Sequence, residues 1–146
     1  MDEQPLTNGN SARPPANSGM ARVMVCVGYN PVSQRLIQRA AQIAAALGGD
    51  LIAIHVQPAE SEVPGYQTML EQNLTLAGLL GAQILIERGA PLAQVLARVA
   101  QARGVTHIVM GESARSRWAE IRSGSLVRQI LRASRGIDIY IVADPA

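Results

Sequence analysis

The densest group of ligand-capable side chains in this chain is a run of arginines. All 13 basic residues are arginine, and six of them (Arg115, Arg117, Arg122, Arg128, Arg132, Arg135) lie between positions 115 and 135. Glu120 is the one acid in that interval. A guanidinium presents a planar fork of donors that can meet a phosphate or carboxylate through two bonds at once. Gly124-Ser125 sits inside the run and opens a segment with helical spacing. A helix start of this kind offers backbone N–H groups and a hydroxyl to an anion, helped by the helix dipole. A phosphate-bearing ligand is one reading. The other is that Ser125 is only an N-cap and the arginines form a solvated face.

Other chemistries find less support. Ser113, Ser116 and Ser125 have no histidine placed to activate them, so nucleophilic catalysis is not expected. Paired carboxylates are missing from the strand ends, which excludes a phosphoryl-accepting receiver. The Walker pattern and the Gly-x-Gly-x-x-Gly fingerprint are absent as well. Glu112 is the sole candidate Mg2+ ligand near the arginine loop, so binding without efficient turnover is expected. His55 falls near the end of one strand run and His107 near the start of another. In a parallel sheet they point to opposite ends, and no metal site is expected. His55 lines a ligand cleft or is a packed, hydrogen-bonded histidine; Cys26 is expected in the core. Trp118, in the charged loop, reads as a lid over a pocket or an anchor for a partner.

The elements that must position these groups follow from size and patterning. A chain of 146 residues, 48% hydrophobic and 16% charged, suffices for one domain with its own core. A net charge of +2 and four aromatic residues argue against a nucleic-acid binder. One cysteine excludes a disulfide scaffold and fits a reducing compartment, here the cytoplasm. No apolar run is long enough for membrane insertion, and the polar N-terminus does not read as a signal peptide. Residues 1–20 are rich in Asn, Ser, Pro and Gly and read as a disordered leader, with the folded domain over 21–146.

Strand runs at 22–28, 51–57, 83–88, 105–111 and 137–143 alternate with helical patterns at 32–47, 66–81, 91–103 and 125–134. Continuous apolar runs such as Val23–Val27 read as strands buried on both faces. Strict β-α alternation implies a doubly wound parallel sheet with helices on both faces. Ligands then sit at the carboxyl ends of the strands, where the strand order reverses. Two segments qualify: Gly28-Tyr29-Asn30-Pro31-Val32-Ser33, and Gly111 through Ser125. Gly111 is read as permitting close approach of a ligand. The last run alternates Ile137, Ile139 and Ile141 with Asp138 and Tyr140, as expected of an edge strand.

Gly111-x2-Ala114-x9-Gly124-Ser125 resembles the nucleotide motif of the universal stress proteins, Gly-x2-Gly-x9-Gly-Ser/Thr. The spacing is kept, and so is its place after the fourth strand. Within that family the likeness is greatest to the universal-stress-protein-like domain of KdpD-type potassium sensor histidine kinases. It is carried by Val25-Cys26-Val27-Gly28-Tyr29-Asn30-Pro31, Arg115-Ser116-Arg117-Trp118 and Gly124-Ser125-Leu126-Val127. The resemblance implies a five-stranded sheet in the order 3-2-1-4-5. It also implies a regulatory domain binding ATP or a related adenine nucleotide, with or without Mg2+. Phosphates would lie on Gly124 and Ser125 and the ribose near Gly111. The remaining site positions are Gly28, Tyr29, Asn30, His55, Ala114, Arg115, Ser116 and Arg117. Partners implied are a second copy through the last strand and a membrane transporter or sensor kinase.

Two positions depart from the pattern. Ala114 replaces the second motif glycine and fits only without a positive φ. Gly28 stands where ATP binders of the family carry Asp. Some kinase domains of this type bind cyclic di-AMP through Ser-x-Ser-x20-Phe-Thr-Ala-x-Tyr. Here the register is kept by Gly28-Tyr29-Asn30 and Leu51-Ile52-Ala53-Ile54-His55, but of the named residues only Ala53 survives. Cyclic di-AMP is therefore placed below ATP, and a nucleotide-free interaction module is the alternative.

Overall fold

The computed structural model describes residues 20–29, 31–57, 66–89, 91–111, 125–133 and 136–143, with backbone only at 66, 125–127 and 133. In chain order the elements are β1 (Arg22–Cys26), α1 (Val32–Leu47), β2 (Asp50–Gln57), α2 (Tyr66–Leu79), β3 (Gln83–Arg88), α3 (Leu92–Arg103), β4 (His107–Gly111), α4 (Ser125–Ala133) and β5 (Asp138–Val142). The strands form one sheet in the order β3-β2-β1-β4-β5. Every neighbouring pair is parallel. The expected doubly wound sheet, 3-2-1-4-5, is the one observed.

The sheet is apolar on both sides because helices cover both sides. Val23, Val25, Leu51, Ala53 and Val109 point to the face under α1 and α2, where they meet Leu36, Ile37, Ala40, Leu70 and Ala77. Met24, Cys26, Ile52, Ile54, Ile108 and Met110 point to the other face and meet Leu96, Val99 and Ile130 of α3 and α4. The central strand β1 has no polar residue from Val23 to Cys26, since a residue there has a helix on either side. Edge strands differ: Ile84 and Ile86 of β3, and Tyr140 and Ile141 of β5, are exposed.

Local signals set the boundaries. Gly48 ends α1 in the left-handed conformation, with φ 66°, and Gly104 ends α3 likewise, with φ 65°. Pro91 is the N-cap of α3, so the helix begins one residue later than the 91–103 pattern. β1 ends at Cys26, two residues before the 22–28 strand run expected from the sequence. After one last ladder bond from Val27 N–H, the Gly28 backbone takes side-chain partners.

Candidate functional site

The strand order turns outward on both sides of β1, so the crevice between the ends of β1 and β4 is the switch point. Val25 lies opposite Val109 in the parallel register. Continuing the count brings Val27 level with Gly111, the last residue of β4. Gly28 follows immediately and leaves the sheet toward α1. β4 thus finishes on a glycine, and the chain after β1 turns at another, two residues past the strand.

The Val27–Gly28 turn is held by side chains from three elements. Val27 N–H still donates to Ile54 O at 2.8 Å, as a last ladder bond. Gly28 N–H donates to Ser33 Oγ of α1 at 2.8 Å. Asn73 Nδ2 of α2 donates to Gly28 O at 2.9 Å. His55 Nδ1 of β2 lies 2.7 Å from Val27 O. A carbonyl oxygen only accepts, so Nδ1 carries the proton, which fixes the tautomer of a neutral ring. Both N–H groups and both carbonyls of the turn are therefore engaged inside the protein. A net bond of this kind is worth about 1 kcal/mol, and a buried group stripped of its partner costs about 1–3 kcal/mol.

Burial separates the expected site residues. Gly28 and Tyr29 are half-buried, and Tyr29 packs on the apolar cluster beneath α1 and α2. His55 is only 1% exposed, so it sits beneath the cleft surface. Gly111 is buried, and Leu36 occupies the place where its side chain would stand. Its lack of a side chain thus has a packing cause on the α1 face. Ser125 is the first residue of α4. Asn30, Ala114, Arg115, Ser116, Arg117, Trp118 and Gly124 lie outside the described residues, as does the leader up to residue 19. Ser33 and Asn73 did not stand out in the sequence. The signal was available at Asn73, a polar residue on the inward side of α2 between Leu70 and Ala77.

The two histidines are at opposite ends of the sheet. His107 is level with Val23 near the start of β1, whereas His55 lies one residue past the level of Cys26. A groove of about 660 Å3 opens at that opposite, amino-terminal end, bordered by Arg22, Asp50, Gln83 and Arg103. The C-terminal ends of α1 and α3 converge there. Arg22 answers the C-terminal dipole of α3, donating to Arg103 O, and lies 3.5 Å from Asp50. Arg22 thereby links β1, β2 and the end of α3 at this end of the sheet, opposite the switch point. Among the described residues no helix is long and apolar enough to cross a membrane.

Residues 20–136 match the model of the Universal stress protein family. A putative sensor protein KdpD of Synechocystis is 29% identical over 126 residues, which is 84% of this chain and 34% of that protein. The sensor protein KdpD of Mycobacterium tuberculosis (strain CDC 1551 / Oshkosh) is 31% identical over 125 residues, 86% of this chain and 14% of that protein. The chain thus spans about a third or less of these relatives. Among solved structures, a universal stress protein in complex with cAMP superposes with a TM-score of 0.62 at 26% identity, covering 86% of this chain and 98% of that one. A universal stress protein from Archaeoglobus fulgidus in complex with dAMP gives a TM-score of 0.56 at 18% identity, covering 84% of this chain and 96% of that one.

Proposed function

The chain belongs to the universal stress protein family, and we propose that it binds an adenine nucleotide, ATP foremost, as a regulatory protein. The observation that carries this reading is the pair of strand ends at the switch point. The end of β4 at Gly111 lies level with Val27, and the chain turns away from the sheet at Gly28 just beyond the end of β1, so both strand ends meet where doubly wound sheets take their ligands. The cAMP complex of the 26% identical relative supports an adenine nucleotide as occupant.

In this reading the base and ribose lie against Gly28, Tyr29, Asn30 and Gly111, with His55 acting from beneath. The phosphates lie on Gly124 and Ser125 at the start of α4, with Arg115, Ser116, Arg117 and Ala114 closing over them. Mg2+ would accompany ATP as counter-ion. The sensor-protein relatives support a role in signalling; a sensor kinase or membrane transporter as partner, and the cytoplasm as compartment, complete the proposal. The exposed Tyr140 and Ile141 of edge strand β5 support pairing with a second copy.

Equilibrium titration with ATP, ADP, AMP, cAMP and cyclic di-AMP tests the reading. Saturable binding of ATP, weakened by Ser125→Ala and abolished by Gly124→Asp, is expected. No binding of any of the five at about millimolar concentration, which would leave any affinity weaker than about −4.1 kcal/mol, overturns it.

A further inference from the structure

Ser33, His55 and Asn73 are the buried polar residues among those described, at 2%, 1% and 0% exposure. They come from α1, β2 and α2, yet all three converge on the backbone of Val27 and Gly28. Three polar groups in an otherwise apolar layer would each be costly without partners. Their shared target is a single peptide turn at the mouth of the candidate site. α2 belongs to the crossover between β2 and β3, remote from the switch point in the chain. Asn73 is its polar link to the turn, bonding a residue 45 positions away.

We propose that Ser33, His55 and Asn73 are positioning residues that set how tightly the site binds its nucleotide, by fixing the Val27–Gly28 turn without touching the ligand. The inference rests on the reading of the site as an adenine-nucleotide pocket. Its physical content is preorganisation. A glycine turn left to itself samples many backbone conformations, and ligand binding must then supply the ordering. Here Gly28 N–H is committed to Ser33, and Gly28 O to Asn73. Val27 O is committed to His55. The turn is therefore ordered before a ligand arrives. Because the Gly28 N–H already has an acceptor, it is not offered to a base or phosphate. The ligand meets the turn by shape, and discrimination falls to Tyr29 and the residues beyond it.

The test uses the full chain, isothermal titration with AMP and ATP, and amide exchange at Gly28 followed by NMR. Ser33→Ala removes the acceptor. Asn73→Asp keeps the shape but replaces the donor with an acceptor. Each is expected to weaken binding about tenfold, or about 1.4 kcal/mol. Ser33→Ala is also expected to speed exchange of the Gly28 amide. Ser33→Thr, which keeps the acceptor oxygen, is expected to restore both. Val99→Ala, in the core on the opposite face of the sheet, is expected to lower the melting temperature with affinity unchanged. If Asn73→Asp does not fold, Ser33→Ala and its threonine counterpart decide. Wild-type affinity in Ser33→Ala overturns the inference alone. So does a loss of affinity in Val99→Ala as large as in Ser33→Ala. A wild-type protein that binds neither nucleotide overturns the underlying reading, and the inference with it.

Discussion

Leu36 fills the place where a side chain on Gly111 would stand: a Cβ there would lie 3.0 Å from Leu36 Cδ1 and 3.3 Å from Cδ2. Leu36 is 5% exposed, so its methyl groups have little room to retreat. Gly111→Ala is therefore expected to cost about 1–2 kcal/mol through overpacking, seen as a lower melting temperature. Leu36→Val shortens the opposing side chain. In the double variant the two costs should add to less than their sum, by about 0.5–1 kcal/mol in a double-mutant cycle. Strict additivity would mean that Leu36 is not what resists a side chain at position 111.

Gly48 and Gly49 are adjacent but required for different reasons. Gly48 has φ 66° and open space around it, so only its conformation resists a side chain. Gly49 has no such φ, but a Cβ there would fall 2.1 Å from Ala21 O. That oxygen also accepts from Asp50 N–H at 3.0 Å and cannot withdraw without breaking the start of the β1–β2 ladder. Gly48→Ala should lose about 1 kcal/mol, and Gly49→Ala about 3 kcal/mol or more, in chemical denaturation. Equal losses would show that the second position also resists by conformation.

These glycines mark what the sequence could and could not show. Gly48-Gly49 reads correctly as the end of a helix, because a left-handed cap is a local property. That Gly49 must also clear Ala21 depends on a contact between two strands, which local patterning does not encode. The same distinction holds at the site. The strand order was legible because buried parallel strands are continuous apolar runs, as in Val23–Val27, and the crossover rule leaves few arrangements. Gly28, Tyr29 and Gly111 were legible as strand-end positions for that reason. Ser33 and Asn73 were not, because a serine in a first helical turn and a single asparagine in an apolar stripe have ordinary explanations. Only the convergence of α1, β2 and α2 on one turn distinguishes them.

Thr106 ties the starts of β1, β4 and β5 together. Its Oγ1 accepts from Arg22 N–H at 2.9 Å and donates to Arg22 O at 3.1 Å. With its one hydrogen so used, Oγ1 can only accept from His107 Nδ1 at 2.7 Å. The Thr106 carbonyl receives Asp138 N–H at 2.9 Å. Thr106→Val keeps the shape and deletes the hydroxyl, leaving Arg22 N–H without its acceptor. A loss of about 2 kcal/mol is expected in denaturant unfolding. Asp138→Asn is the contrasting case. Its carboxylate lies 3.5 Å from His107 Nε2 with 72% of the side chain exposed, so a change within about 0.5 kcal/mol is expected. A larger effect of Asp138→Asn than of Thr106→Val would mean that the Asp138–His107 contact, not the hydroxyl, joins these strands.

The β5 edge offers the clearest assembly prediction. Tyr140 on one face and Ile141 on the other are 41% and 46% exposed, and no strand pairs with the outer side of β5 among the described residues. Pairing with a second copy would satisfy that row of backbone groups and cover both side chains. Ile141→Arg places a charge in the proposed contact, while position 141 tolerates a long side chain in the isolated subunit because it is exposed. Native mass spectrometry of the wild type is expected to give a species of about twice 15.5 kDa, and of Ile141→Arg a monomer. The variant should keep its melting transition at low protein concentration, where mass action already favours the monomer. A wild type that stays monomeric at all concentrations would remove β5 as a self-pairing edge and leave it for a different partner.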